Sequence, residues 1–139
     1  MPSAGRRDRD LTVQYKARVH ATYLELVCTA DYAPEVPIQI AEEGFKRAAG
    51  ADRRALLLDI RGVIGQGGTL SERFDQAVQF SNLQARMTPR IRVAVLGKIP
   101  IVHPQRFGEI VATNRGAMIR VFTEERDALD WLIQVQDTR

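Results

Sequence analysis

Strand-like and helix-like segments alternate along this chain and predict an α/β fold. The expected architecture is a single mixed, mainly parallel five-stranded sheet with helices on both faces, in the order ββαβαβαβα. Three observations carry it. Two β-rich runs near the start are separated only by Arg18–His20, a hairpin-length connection. The run Ala55-Leu-Leu-Leu-Asp-Ile is almost continuously apolar, as central parallel strands are. Between the later strands lie stretches with apolar residues at helical spacing, bounded by Pro or Gly.

Residues 1–10 have no apolar periodicity and are expected to be a mobile leader; 11–139 are expected to form one domain. Leu11, Val13, Tyr15 and Ala17 alternate with polar residues and predict the first strand; Ala21–Cys28 predicts the second, antiparallel to it. Ile38, Ala41, Phe45, Ala48 and Ala49 recur at helical spacing, with Pro34 and Pro37 at the entry and Gly50 at the stop. Strand Ala55–Ile60 leads into a glycine-rich loop, Arg61–Gly68. Thr69-Leu-Ser-Glu72 fits a capping box opening a helix that runs to Arg86 or Met87, before Thr88-Pro89. Strand Ile91–Leu96, loop Gly97–Val102 and helix Pro104–Arg115 follow, with Gly116 as the helix stop. Strand Ala117–Phe122 precedes a last helix from Thr123, striped by Ala128, Trp131, Leu132 and Val135. Right-handed crossovers are expected to distribute the helices over both faces.

Composition narrows the function classes. With 139 residues, 45% apolar and 27% charged, the chain is long enough to bury a core and too apolar to be disordered. No apolar run approaches the roughly 18 residues needed to span a bilayer, and the N-terminus has no signal-peptide core, so the expected compartment is the cytoplasm. Cys28 is alone and cannot form an internal disulfide; no Cys/His cluster suggests zinc, and no cofactor is implied. Charge is segregated: residues 86–120 carry a net +6, and 121–139 a net −3. Arg90 and Arg92 fall at the opposite end of a strand from Lys98 and His103, so the basic stretch forms no single stripe. Without a nucleic-acid-binding signature, DNA and RNA are not expected partners.

The order of elements, the strand ending Leu-Leu-Leu-Asp59-Ile-Arg61-Gly62 and the tail Val121-Phe122-Thr123…Ala128-Leu-Asp-Trp131-Leu132 resemble bacterial SpoIIAA-like proteins. These are relatives of the STAS domain of anti-sigma factor antagonists, also grouped with SEC14-type lipid-binding modules. Arg106-Phe-Gly-Glu109…Asn114-Arg115-Gly116 matches an uncharacterised branch of that family. The resemblance spans Leu11 to Ile133 and implies a non-enzymatic regulatory or binding module. One departure is clear: where the antagonists carry a phosphorylatable Asp-Ser pair, this chain has Gly67 and Gly68. Thr69 and Ser71 belong to the helix start, so the phosphorylation switch does not carry over.

The segment Gly62–Thr69 has phosphate-loop glycine spacing, but Gly68 stands where a Walker A loop needs its Lys. What survives is a glycine turn whose N–H groups, at Gly65, Gly67 and Gly68, suit an anion or simply a tight turn. Open α/β sheets place ligands beyond the carboxyl ends of their strands. The candidate ligand-binding rim is therefore Asp59, Arg61, Gly65, Gly67, Gly68, Lys98, His103 and Arg106. Asp59 is expected to cap the glycine turn, and it is read as facing the opposite side of the sheet from Arg61, which leaves a direct ion pair unassured. An alternative reading makes His103 the acid or base of a small-molecule enzyme, with Glu109 as its companion, but no nucleophile stands beside it.

The helix after the glycine turn carries two apolar stripes. Leu70, Phe74, Ala77, Val78, Ser81 and Ala85 share one face and are read as facing the sheet. Phe80, Leu83 and Met87 fall nearly opposite and need another partner: a neighbouring helix, an apolar ligand or a second copy of the chain. A homodimer through these three residues is the reading adopted; a lipid-like small molecule and a protein partner are the other partners considered.

Overall fold

The computed structural model describes residues 12–137. The leader expected at 1–10 and Leu11 lie outside the described residues, as does the side chain of Val135. Five strands form one sheet in the order in which they occur: β1 (Gln14–Val19), β2 (Leu24–Asp31), β3 (Ala55–Ile64), β4 (Arg92–Leu96) and β5 (Ile119–Phe122). β1 pairs antiparallel with β2, and every later pair is parallel. The helices are α1 (Val36–Gly50), α2 (Leu70–Ala85), α3 (Phe107–Asn114) and α4 (Glu125–Asp137). The expected ββαβαβαβα order and the α/β mixed sheet are what the structure shows.

Helices do occupy both faces, but unevenly. Strands added always on the same side by right-handed crossovers put every crossover helix on one face. So α1, α2 and α3 share a face, and α4, which follows the edge strand β5, takes the other. Leu24, Leu26, Cys28, Leu56, Leu58 and Val93 point to the three-helix side and meet Ile40, Phe45 and Phe80. Leu57, Ala94 and Leu96 point to the far side and meet Ala128 and Leu132 of α4, with Trp131 packed alongside. The near-continuous apolar run of β3 is thus explained, since both its faces are covered.

Two boundaries move. β1 ends at Val19, so the hairpin connection is His20–Tyr23; the His20 amide donates to the Tyr23 carbonyl at 2.9 Å and the two rings stack. β3 continues four residues past Ile60, through a register shift that lets β2 pair as far as Asp31 with Ile64. Gly62 belongs to that strand. A β-carbon there would stand 2.6 Å from Thr29 Cγ2 and 2.9 Å from the Cys28 carbonyl, so glycine serves close strand approach at a bulge.

The buried face of α2 is rotated from the expected one: Ala77 and Ser81 of the expected inward stripe are buried, but Phe80 and Gln84 join them in place of Leu70 and Phe74. Leu83 and Met87 pack against the core. Phe80 is 8% exposed and meets Phe45 with ring centroids 5.6 Å apart. Leu70 and Phe74, assigned to the sheet side, are 54% and 45% exposed. Gln84 decides the orientation. Its side chain is wholly buried; Nε2 donates to the carbonyls of Ile91 (2.7 Å) and Met118 (2.9 Å), and Oε1 accepts from the Met118 amide (2.7 Å). The stripe read as a homodimer contact is part of this chain's own core, which removes the apolar surface that argument required.

Cys28 is fully buried in the three-helix core, and burial pushes its thiol from 9.0 up to about 12. Burial likewise raises the neighbouring Tyr15 phenol from 10.0 to about 12. The unfolded chain releases both protons first, so stability is full below about pH 9 and falls as pH climbs towards 12. Unfolding midpoints in urea at pH 8 and pH 10.5 should show this loss, and Cys28→Ala should make it shallower. Equal slopes in the two proteins would contradict it.

Candidate functional site

The expected rim divides into two places. Asp59 lies well inside β3, not at its end, and is 6% exposed. Its Oδ1 accepts from the Arg61 amide (3.1 Å) and Nε (3.0 Å), and its Oδ2 from Nη2 (2.7 Å). Residues two apart in a strand share a face, so the expected separation of the pair was wrong, and a bidentate ion pair forms. That bond raises the Arg61 guanidinium still further above its ordinary value, and Glu125 of α4 stands 3.6 Å away. This pair therefore braces β3 towards α4. The expected cap on the glycine turn is replaced by this strand-internal role.

The other residues gather on the three-helix side. Gly65 (φ 142°) and Gly67 (φ 80°) take conformations that L side chains rarely adopt, and they turn the chain from β3 into α2. Thr69 closes the capping box: its hydroxyl accepts from the Glu72 amide at 3.1 Å, while Glu72 Oε1 accepts from the Thr69 amide at 2.9 Å. One turn on, Arg73 fastens two loops together. Its Nε donates to the Gly68 carbonyl (2.9 Å), Nη1 to that of Ile101 (3.0 Å) and Nη2 to that of Pro100 (2.7 Å). Sequence reading brought these loops to one rim but passed over Arg73, because a lone Arg on a helix start carries no periodic signal. Lys98 is exposed on the second loop.

Beneath this rim lies a cavity of about 170 Å³. It lies between the sheet and its three-helix face, with α1, α2 and α3 all contributing to the lining. Leu58, Ile60, Val63 and Val95 of the sheet form the floor, Ile40 and Ala41 of α1 one wall, and Ala77 and Phe80 of α2 the roof. Tyr32, Arg73, Gln76, His103, Arg106 and Glu109 supply its polar groups. His103 and Arg106 of the expected rim thus line the cavity, as does Phe80 of the expected interface.

The polar groups are held in place. Gln76 Nε2 donates to the Tyr32 hydroxyl (2.8 Å) and the Pro34 carbonyl (3.0 Å). His103 Nδ1 accepts from the Gln105 amide (3.1 Å), and its ring tilts against Phe107. Helix α3 starts at Phe107 rather than Pro104, because Arg106 before it is left-handed, at φ 56° and ψ 43°. That conformation costs a non-glycine residue roughly 1–2 kcal/mol, and it sets the Arg106 side chain at the cavity. Glu109 Oε1 accepts from the Val121 amide at 2.8 Å, and its Oε2 is 4.0 Å from Arg106. No hydrogen bond joins His103 to Glu109, so the geometry assembles no acid–base pair from them. Arg106 also borders a shallower groove past β5, with Arg120, Phe122, Asp127 and Trp131. Among the described residues, no group of three or more His, Cys, Asp or Glu side chains is placed to hold a metal ion, and no helix is long and apolar enough to cross a membrane.

No family model matches the sequence, and no curated protein matches it significantly. Solved structures do resemble it. One is an anti-sigma factor antagonist from Mycobacterium paratuberculosis, 12% identical, with a TM-score of 0.57 over 87% of this chain and 94% of that one. Another is an uncharacterised protein of the DUF3478 family with a SpoIIAA-like fold, from Shewanella loihica PV-4. It is 21% identical, with a TM-score of 0.49 over 86% of this chain and 93% of that one. The five-stranded sheet with one antiparallel edge, three helices on one face and one on the other is therefore a STAS-like fold, shared with the mycobacterial antagonist across nearly its whole length.

Proposed function

We propose that this chain is a non-enzymatic binding module whose cavity under α2 takes a small apolar molecule. The observation that carries this reading is the cavity itself, about 170 Å³ with an apolar floor, walls and roof and polar groups from two helices and two loops. The space is open to solvent on one side, and most of its lining is apolar. An apolar body that covers this lining removes it from water, which favours its binding there. Occupancy would tie α2 to the sheet beneath it, which gives a ligand a means to stiffen the Arg73-linked loops. The likeness to an anti-sigma factor antagonist supports a regulatory setting in which a protein partner reads that change.

The test is thermal unfolding with benzene and with 1-hexanol over a concentration series. Stabilisation should rise with concentration as mass action requires, reaching about 2.7 kcal/mol at a hundred times the dissociation constant. Ala77→Leu, which extends a roof residue into the space, should abolish it while the protein remains folded by circular dichroism. A melting temperature indifferent to both probes would sink the reading.

A further inference from the structure

The polar side chains at this cavity differ in what they have left to offer. Arg73 gives three of its N–H groups, one from each nitrogen, to backbone carbonyls and serves to hold the loops. Gln76 Nε2 is engaged by Tyr32 and Pro34. Three other side chains keep a donor without a close protein acceptor among the described residues. The Tyr32 hydroxyl receives a hydrogen bond from Gln76 and retains its own proton. The His103 ring accepts at Nδ1 from the Gln105 amide, which makes Nε2 its donor. Arg106 is half-exposed, and its one carboxylate neighbour lies at 4.0 Å, at the limit of an ion pair. A loop, a turn and a helix start thus bring an O–H, an N–H and a guanidinium to one apolar cavity.

Resting on the binding reading above, we infer that the ligand is an amphipathic monocarboxylate. Its apolar body of about six to eight carbons fills the cavity, and its carboxylate is held by Arg106, His103 and Tyr32. A guanidinium fork matches the two oxygens of a carboxylate, and charge-assisted bonds of this type are the stronger ones. The single negative charge follows from Glu109. Its carboxylate is fixed on the Val121 amide and lines the same cavity, so it repels a dianionic head with about twice the energy of a monoanionic one.

The experiment compares ligands with one apolar body and different heads. Hexanoate, 1-hexanol and hexyl phosphate are titrated at pH 8 and low ionic strength by calorimetry, against the wild type and Arg106→Asn. Asparagine tolerates the left-handed conformation at this position, so the helix start is preserved. Hexanoate should bind at least tenfold more tightly than 1-hexanol and more tightly than hexyl phosphate. Arg106→Asn should remove most of the hexanoate preference and leave 1-hexanol unchanged. Equal binding of hexanoate and 1-hexanol would overturn the carboxylate assignment while leaving the binding module intact. A preference that survives Arg106→Asn would overturn the role given to Arg106. Tighter binding of hexyl phosphate would replace the carboxylate by a phosphate monoester. Failure of all three ligands would overturn the binding reading itself.

Discussion

Gln84→Met is expected to lower stability by about 3–5 kcal/mol, because the substitution removes three hydrogen bonds and leaves their partners buried. Methionine preserves length and fills the same space, so little of the effect comes from a void. What changes is that the Ile91 carbonyl and the Met118 amide lose their side-chain partner, whereas the Met118 carbonyl keeps the Val93 amide at 3.1 Å. Each unsatisfied buried group costs about 1–3 kcal/mol, against a total stability of about 5–15 kcal/mol for a domain of this kind. Those two segments lead into β4 and β5, so the ends of two strands should loosen together. Urea unfolding followed by circular dichroism measures the loss. A change below about 1 kcal/mol would mean that water replaces the amide, and that Gln84 does not set the face of α2.

Phe80→Ala should cost about 3–5 kcal/mol, the usual penalty for truncating a buried phenylalanine. Its ring meets Phe45 of α1 and roofs the cavity, so the space left behind merges with the one already there. The same variant distinguishes core from interface. With Phe80 inside the chain's own core, light scattering should give the same mass for variant and wild type while the unfolding midpoint drops. Unaltered stability accompanied by a change in mass would restore the stripe to a contact between copies.

These two residues also show where sequence reading succeeds and where it fails. Features that act locally were legible: Leu56-Leu57-Leu58 marked a strand covered on both faces, and Thr69 with Glu72 marked the start of α2. The antiparallel opening pair followed from its short connection. What escaped depends on distant partners. Gln84 is polar and so was not assigned inward, because its acceptors at Ile91 and Met118 belong to other parts of the chain. Leu70 and Phe74 are apolar and were turned inward, although the first turns of α2 leave them exposed. Gly62 looked like part of a loop because only the approach of Thr29 and the Cys28 carbonyl shows that a strand needs it. Of the candidate site, His103 and Arg106 were named, but the cavity was not. Its lining is drawn from three strands and three helices, a combination that no single segment encodes.

The unbroken succession of strands across the sheet bears on how the chain is made. Each strand docks beside its immediate predecessor, so a nascent polypeptide emerging from the ribosome always has its next pairing edge already formed. The opposite edge is β1, complete from the outset, and its exposed Lys16 and Arg18 discourage wrong partners there. No strand has to wait for a later one and then insert between two others. Assembly can therefore proceed vectorially, one strand and helix at a time, with each loop closed over a short span. Helix α4, which follows β5, crosses to the other side of the sheet and covers it.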